Sequence, residues 1–334
     1  MKKLRQQQAE LSRHNYGFLK NPSLLDKQYY PFDSIQELRK SVLKRLCDSL
    51  DRANAFGPEQ PEPPGHLLVD DVHDLIFCQV RKVASITWRK VLNEAVAGAG
   101  GQKLRRLSSY TEMERAIRLR HYTKVMFVRE PIYRAVSGWL DKFISPNGRD
   151  RQEYLIRYGC DMARRQNKNI SMIRSCRFVD NVGKDNDHGD PSVDDDTYED
   201  DGQPFSEEEL AKLLPSFEDF ARYLINGPPA LRSDMHWESY NSRCQPCIVN
   251  YDYIGHYETL SMDADEIIRR LNLGNGATSR FPRKESASEG IAREILGDVD
   301  SLLLMRLYEL YDLDCQLFGY SFQRMEQLVS GSDR

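Results

Sequence analysis

The sequence predicts an α/β fold, a parallel sheet flanked by helices in one domain, and three observations carry that prediction. Asp74 to Val80 reads as a buried strand, Lys124 to Val128 reads as a second, and each runs through a short loop into a helix-forming stretch. Strand, loop, helix, repeated, is the signature of parallel α/β architecture, because parallel neighbours need a helical crossover. The chain has 334 residues, 40% hydrophobic and 29% charged, which is a globular profile. No apolar run approaches the ~18–20 residues of a membrane span, and the polar, basic first fifteen residues lack the apolar core of a secretory signal.

Taken in order, residues 1–65 read as a helical stem over Ile35 to Leu50 and then a proline-rich linker from Gly57 to Gly65, extended because proline fixes φ and lacks a donor. Residues 66–325 form the expected domain. Its first strand enters the loop from Arg81 and a helix over Ser85 to Ala97. Its second, Lys124–Val128, leads to Pro131, well placed at the first position of a helix running to about Phe143. Further helices are expected over Gln152–Arg174, Phe217–Leu224 and Ile291–Phe318. Ile248 to Ile254 alternates like a strand, and Asp263 is placed to cap a helix through Leu271. Asp185 to Asp201 holds nine acidic residues and no Lys or Arg. It marks an insertion at about 180–206 without a core-forming pattern. Taking those nine charges from the net −4 leaves a body at +5, suited to an anionic ligand but far short of a typical nucleic-acid binder.

Seven cysteines are an odd number at low density. Cys244 and Cys247 make a single CxxC, and no second pair or histidine pair completes a zinc site, so no metal is expected. Disulfides to cysteines elsewhere in the chain remain one reading of that pair.

The first strand–loop–helix bears the chemistry. A loop entering a helix presents unpaired backbone N–H groups and the positive end of the helix dipole, a seat for phosphate. Here it reads Arg81, Lys82, Val83, Ala84, Ser85, Ile86, Thr87, with Lys82 as a flexible point charge and Ser85 and Thr87 as hydroxyl donors. It is not a Walker loop, since no glycine occurs between Gly65 and Gly98, which disfavours an ordinary NTPase or kinase. In the second unit Arg129 ends the strand, with Arg134 and Ser137 on the following helix. Ser137 lies about 9 Å along from Pro131 at ~1.5 Å per residue. Two anion seats on neighbouring strands imply a ligand with two separated phosphates.

The two loops together resemble the 5′-phosphosulfate and 3′-phosphate motifs of sulfotransferases, most closely the Golgi carbohydrate sulfotransferases of the chondroitin, dermatan and GalNAc 4-O type. The first family motif, C-x-V-P-K-x-x-C-T-N-W-K-R, is matched from Cys78 to Lys90. The second, F-V-R-x-P-x-x-R-x-x-S-x-x-x-D-K-F, is met at every fixed position from Phe127 to Phe143. Phe217 to Phe220, Asp234 to Trp237, Cys244 to Cys247, Tyr251 to Thr259 and Leu307 to Tyr320 follow in the family's order, so the resemblance spans roughly residues 40–322. Arg81 replaces the family's proline, Ser85-Ile86-Thr87 its Cys-Thr-Asn, and Cys315 an aromatic. No segment of this sequence reads as the family's usual N-terminal membrane anchor, so the chain is expected to be a luminal portion, an incomplete gene product or a soluble relative.

The resemblance implies a P-loop-like sulfotransferase fold and 3′-phosphoadenosine 5′-phosphosulfate as co-substrate, with residues 81–87, Arg129, Arg134 and Ser137 binding it. It implies a glycan or proteoglycan acceptor and a Golgi lumen setting, where CxxC cysteines would be disulfide-bonded and Asn169-Ile-Ser171 would be a glycosylation sequon. Lys82 would stabilise the leaving phosphate, and His236, in the Asp-x-His-Trp motif, is the favoured general base among seven histidines. Glu258 comes second, as a group orienting a base or filling a buried network. Arg134 and Lys142 would face a polyanionic glycan, unless Lys142 pairs with Asp141. A catalytically silent glycan-binding relative is the competing reading, favoured by the altered Ser85-Ile86-Thr87.

Overall fold

The computed structural model describes residues 5–13, 31–52, 62–146, 150–166, 176, 206–274, 280–282 and 288–330. The acidic insertion, the sequon, most of the proline-rich linker, His14 and His188 lie outside them. Within the α/β fold the chain groups into two compact units, Met1–Ala135 with Pro228–Arg334, and Val136–Gly227.

The first unit is built on a five-stranded sheet in the order β3-β1-β2-β4-β5. The strands are β1 (Leu68–Asp70), β2 (Leu75–Cys78), β3 (Arg105–Arg106), β4 (Thr123–Val128) and β5 (Tyr253–His256). Strands β2, β4 and β5 are parallel, with Phe77 opposite Val125 and Val125 opposite Tyr253. The sheet is mixed rather than parallel throughout: β1 runs antiparallel to both β2 and β3. The cause is local. The Asp70 carboxylate accepts from the backbone N–H groups of Val72 (2.9 Å) and His73 (3.2 Å), and Asp74 holds a positive φ of 48°. Those contacts close a tight turn, and strands joined by one must be antiparallel.

The helices around it are α1 (Phe32–Arg52), α2 (Ser85–Gly98), α3 (Glu112–His121) and α4 (Pro131–Trp139), with α2 and α3 making the crossover from β2 to β4. Trp88 of α2 packs on Phe77, Phe127 and Phe281 with ring centroids 5.4, 4.7 and 4.9 Å away, forming the aromatic core over the parallel strands. Phe127 reaches across to Gly255, where a Cβ would meet its ring at 2.1 Å, so β5 needs glycine there. Helix α1 does not stand apart as a stem. Its Gln36 side chain pairs with both backbone groups of Ile254, like another strand, and Arg39 donates to the same carbonyl and to the Asp263 carboxylate at 2.9 Å. Asp263 is therefore a buried ion-pair partner inside the helix Leu260–Arg270, not the cap that sequence spacing predicted.

The strand expected over Ile248–Ile254 is displaced. Pro246 starts a short helix, Pro246–Val249, that Asn250 ends at φ 55°, and pairing begins only at Tyr253. Two disulfides fasten this region: Cys47 of α1 to Cys247, and Cys78 at the end of β2 to Cys244. Cys315 is buried as a thiol. The C-terminal pattern resolves into Ser288–Gly297, Ser301–Leu310 and Asp312–Phe318, the second capped by Asp300 and the third stopped by Gly319 in the left-handed region.

In the second unit the helix leaving Trp139 loosens into a π turn, Leu140–Ile144. Arg151–Tyr154, a second π turn at Leu155–Gly159 and Cys160–Arg165 follow. Phe217–Asn226 begins in a capping box of Ser216 with Asp219. Phe143 packs on Tyr154 and Phe220, Trp139 donates to the Pro215 carbonyl at 3.1 Å, and Cys160 is bridged to Cys176.

Candidate active site

Parallel strands deliver their loops at one end of a sheet, and that end of β2, β4 and β5 carries the loop from Arg81, Arg129 and the segment His256–Glu258. The β2 loop solves a problem its sequence poses. A phosphate-sized cradle needs backbone in the left-handed region, usually granted to glycine, and this loop has none. Lys82 and Ala84 adopt it instead, at φ 67° and 60°. Alternation of this kind turns successive N–H groups inward, forming a nest for an anion. Ala84 is also the N-cap of α2. It provides no side-chain cap, and the first turn of α2 has no acidic residue, so the helix N-terminus is not neutralised by its own side chains.

Individual side chains divide by depth. Val83 is buried in the core, leaving only its backbone to a ligand, and Ser85 is buried beside Gln79, whose amide donates to its carbonyl at 3.2 Å. Ile86 is 78% exposed, an apolar side chain standing where a hydroxyl would serve an anion better. Lys82, Arg81 and Thr87 are half-buried. Arg81 Nε donates to Met235 Sδ at 3.4 Å, which brings the segment of His236 against the β2 loop.

At the end of β4, Arg129 is almost wholly buried. Tyr240 fixes its backbone, accepting from the Arg129 N–H and donating to its carbonyl, both at 2.8 Å, while the guanidinium stacks 4.3 Å from the Tyr257 ring centroid. Arg134 is fully buried. Its Nη2 donates to the Glu238 carbonyl and its guanidinium lies 4.5 Å from the Tyr240 ring centroid. Its Nε and Nη1 have no hydrogen-bond partner among the described residues, which leaves two strong donors for an anion. Ser137 lies further along α4, in the second unit. Lys142, also in that unit, is buried and paired with Asp150 at 3.2 Å and Asp141 at 4.0 Å.

His236 is nearly buried. Asp234 Oδ1 accepts from its backbone N–H at 2.9 Å and lies 2.8 Å from its Nδ1. The other described histidine near these loops, His256, is fully buried, with Nδ1 3.1 Å from the Tyr320 hydroxyl. Glu258 accepts from Tyr320 and from the Glu130 N–H, and its Oε2 lies 3.9 Å from His256 Nδ1. Desolvation raises Glu130 to about 8 and Glu258 to about 7, with the charge of Glu258 also disfavouring ionised Glu130 and that of Glu289 disfavouring ionised Glu258.

Comparison with known proteins decides between the kinds of anion site. The model of the Sulfotransferase family matches residues 65–321. Carbohydrate sulfotransferase 14 of Danio rerio is 30% identical over 304 residues, covering 86% of this chain and 71% of that protein. The chain belongs to the sulfotransferase family. Carbohydrate sulfotransferase 11 of Rattus norvegicus is 29% identical (86% of this chain, 76% of that one), and carbohydrate sulfotransferase 8 of Mus musculus 24% (90% and 67%). No solved structure matches the chain.

A sulfotransferase of this family draws on 3′-phosphoadenosine 5′-phosphosulfate. The residues present fit that donor: a left-handed loop ahead of an uncapped helix, and two buried arginines on the neighbouring strand and helix, one with unsatisfied donors. No group of three or more metal-ligating side chains occurs among the described residues. The residues that hold this sulfotransferase's site together carry no motif of their own. Tyr240 clamps Arg129, Asp314 caps the helix of Tyr240 through the N–H groups of Tyr240 and Asn241, and Arg243 ties Glu238 to the Gln79 carbonyl. All act over sequence separations above seventy residues except the Arg243–Glu238 pair. A pattern along the chain does not register such contacts.

Proposed function

We propose that this sulfotransferase moves a sulfuryl group onto a sugar hydroxyl, the 4-O of GalNAc in chondroitin- or dermatan-type chains, within the Golgi lumen. The observation that supports the reading is the contact of Arg81 in the β2 loop with Met235, the residue before His236, whose ring lies 2.8 Å from Asp234. Three disulfides favour an oxidising compartment. No helix among the described residues is long and apolar enough to cross a membrane.

The donor supplies an activated sulfuryl group whose bond to the 5′-phosphate oxygen breaks as the sugar oxygen bonds to sulfur. His236 takes the hydroxyl proton as that oxygen attacks. Lys82, with the N–H groups of residues 83–87 at the start of α2, stabilises the negative charge growing on the phosphate oxygen; charge that appears only in the transition state is where a preorganised cation helps most. Arg129 and Arg134 hold the 3′-phosphate and so separate this donor from ATP-like nucleotides. The exposed Ile86 favours one second reading, a glycan-binding relative without turnover.

Transfer of radiolabelled sulfate from the donor to chemically desulfated chondroitin and dermatan tests the proposal. Label on GalNAc is expected, with His236→Ala reducing it roughly 10²-fold or more. A chain that binds the donor product and the glycans but transfers nothing would contradict it and favour the silent relative.

A further inference from the structure

Resting on the assignment of His236 as base, we infer that Asp234 is a positioning residue, which sets the tautomer and aim of the His236 ring. The Asp234 Oδ1 atom lies 2.8 Å from Nδ1 and accepts from the His236 backbone N–H at 2.9 Å. An ionised carboxylate only accepts hydrogen bonds, so a neutral imidazole at this distance must carry its proton on Nδ1. The lone pair is then on Nε2, across the ring, which is the state a base requires; the opposite tautomer would present a proton where one has to be received. Both side chains are nearly buried, at 10% and 9% exposure for His236 and Asp234, so little water competes for the bond.

The backbone around the pair is held on both sides. The Trp237 indole N–H donates to the Leu231 carbonyl at 2.7 Å, the Tyr311 hydroxyl donates to the Trp237 carbonyl at 2.7 Å, and the buried Arg134 donates to the Glu238 carbonyl. A ring oriented through this bond on such a frame has little freedom left. The single carboxylate oxygen reads both the backbone and the ring of the same residue, so Asp234 fixes the ring relative to its own main chain.

The test is nitrogen-15 NMR of the histidine rings in the full chain, with the His236 signals identified by their loss in His236→Gln, combined with steady-state kinetics on desulfated chondroitin. The expected wild-type pattern is a protonated Nδ1 and an unprotonated Nε2. Asp234→Asn should shift the pattern toward the Nε2–H tautomer and lower kcat roughly 10²-fold, with both KM values within about twofold. Its binding of 3′-phosphoadenosine 5′-phosphate should match the wild type, which separates this effect from misfolding; if Asp234→Asn does not fold, Asp234→Ser replaces it. An Nε2–H tautomer in the wild type, or an Asp234→Asn variant unchanged in either tautomer or kcat while His236→Gln is inactive, overturns the role of Asp234 alone. Undiminished kcat in His236→Gln would instead overturn the base assignment itself.

Discussion

Ala84 shows at the scale of one residue how this chain makes an anion loop without glycine. At φ 60° it sits where an L side chain costs about 1–2 kcal/mol, and Lys82 at 67° bears the same strain. Strain kept at a loop beside a proposed base is a usual mark of a working site. Ala84→Gly should therefore leave folding intact and raise stability by about 1 kcal/mol in thermal denaturation, whereas Ala84→Val, with a branched side chain in the same conformation, should lower it. Loss of stability in the glycine variant would contradict the left-handed assignment. Gly255 is the opposite case. The ring of Phe127 occupies the space a Cβ would need, so Gly255→Ala should cost about 1–3 kcal/mol of overpacking, read as a lower chemical-denaturation midpoint.

At the scale of elements, the strands and helices that form the donor loops were legible because each is a continuous apolar run or an amphipathic period bounded by a clear signal. Asp74–Val80 narrows to Leu75–Cys78, and Ser85–Ala97 extends by one residue. What sequence concealed was short or remote. β1 and β3 have three and two residues, too few for a period, and Asp263 looked like a cap because its real partner, Arg39, is 224 residues away. The cysteine pairs were hidden for the same reason, joining positions 200 and 166 residues apart. Their roles differ by location. Removing Cys47–Cys247 by paired serine substitution should cost about 4 kcal/mol, the order expected for closing a long loop, with donor-product affinity kept. Removing Cys78–Cys244 should cost a similar amount and also weaken that affinity, because this bridge joins the strand feeding the loop to the helix whose Tyr240 clamps Arg129. Equal affinity in both double variants would contradict that coupling.

Across the whole molecule, buried acids set the response to pH. Burial holds Glu130 at about 8, Glu258 at about 7 and Asp314 at about 6, each above its unfolded value, so between those limits the folded state binds more protons than the unfolded one. Stability must then fall as pH rises through that window. His66 works in the other direction: desolvation lowers it to about 4, the folded state binds fewer protons there, and stability rises from pH 4 towards 6.5. Three acids outweigh one histidine, so chemical denaturation across pH 5–9 should show stability falling from pH 5 towards 8, least steeply below pH 6.5 where His66 opposes the trend, and Glu130→Gln should flatten the decline; stability that climbed steadily to pH 8 would contradict the buried-acid account. The donor site is the claim on which the rest depends, and calorimetry with 3′-phosphoadenosine 5′-phosphate tests it most directly. The account predicts binding by the wild type, at least about tenfold weaker binding (about 1.4 kcal/mol) in both Lys82→Ala and Arg129→Ala, and much weaker binding of ATP. A folded wild-type chain that ignores the nucleotide, or that binds ATP equally well, would contradict it.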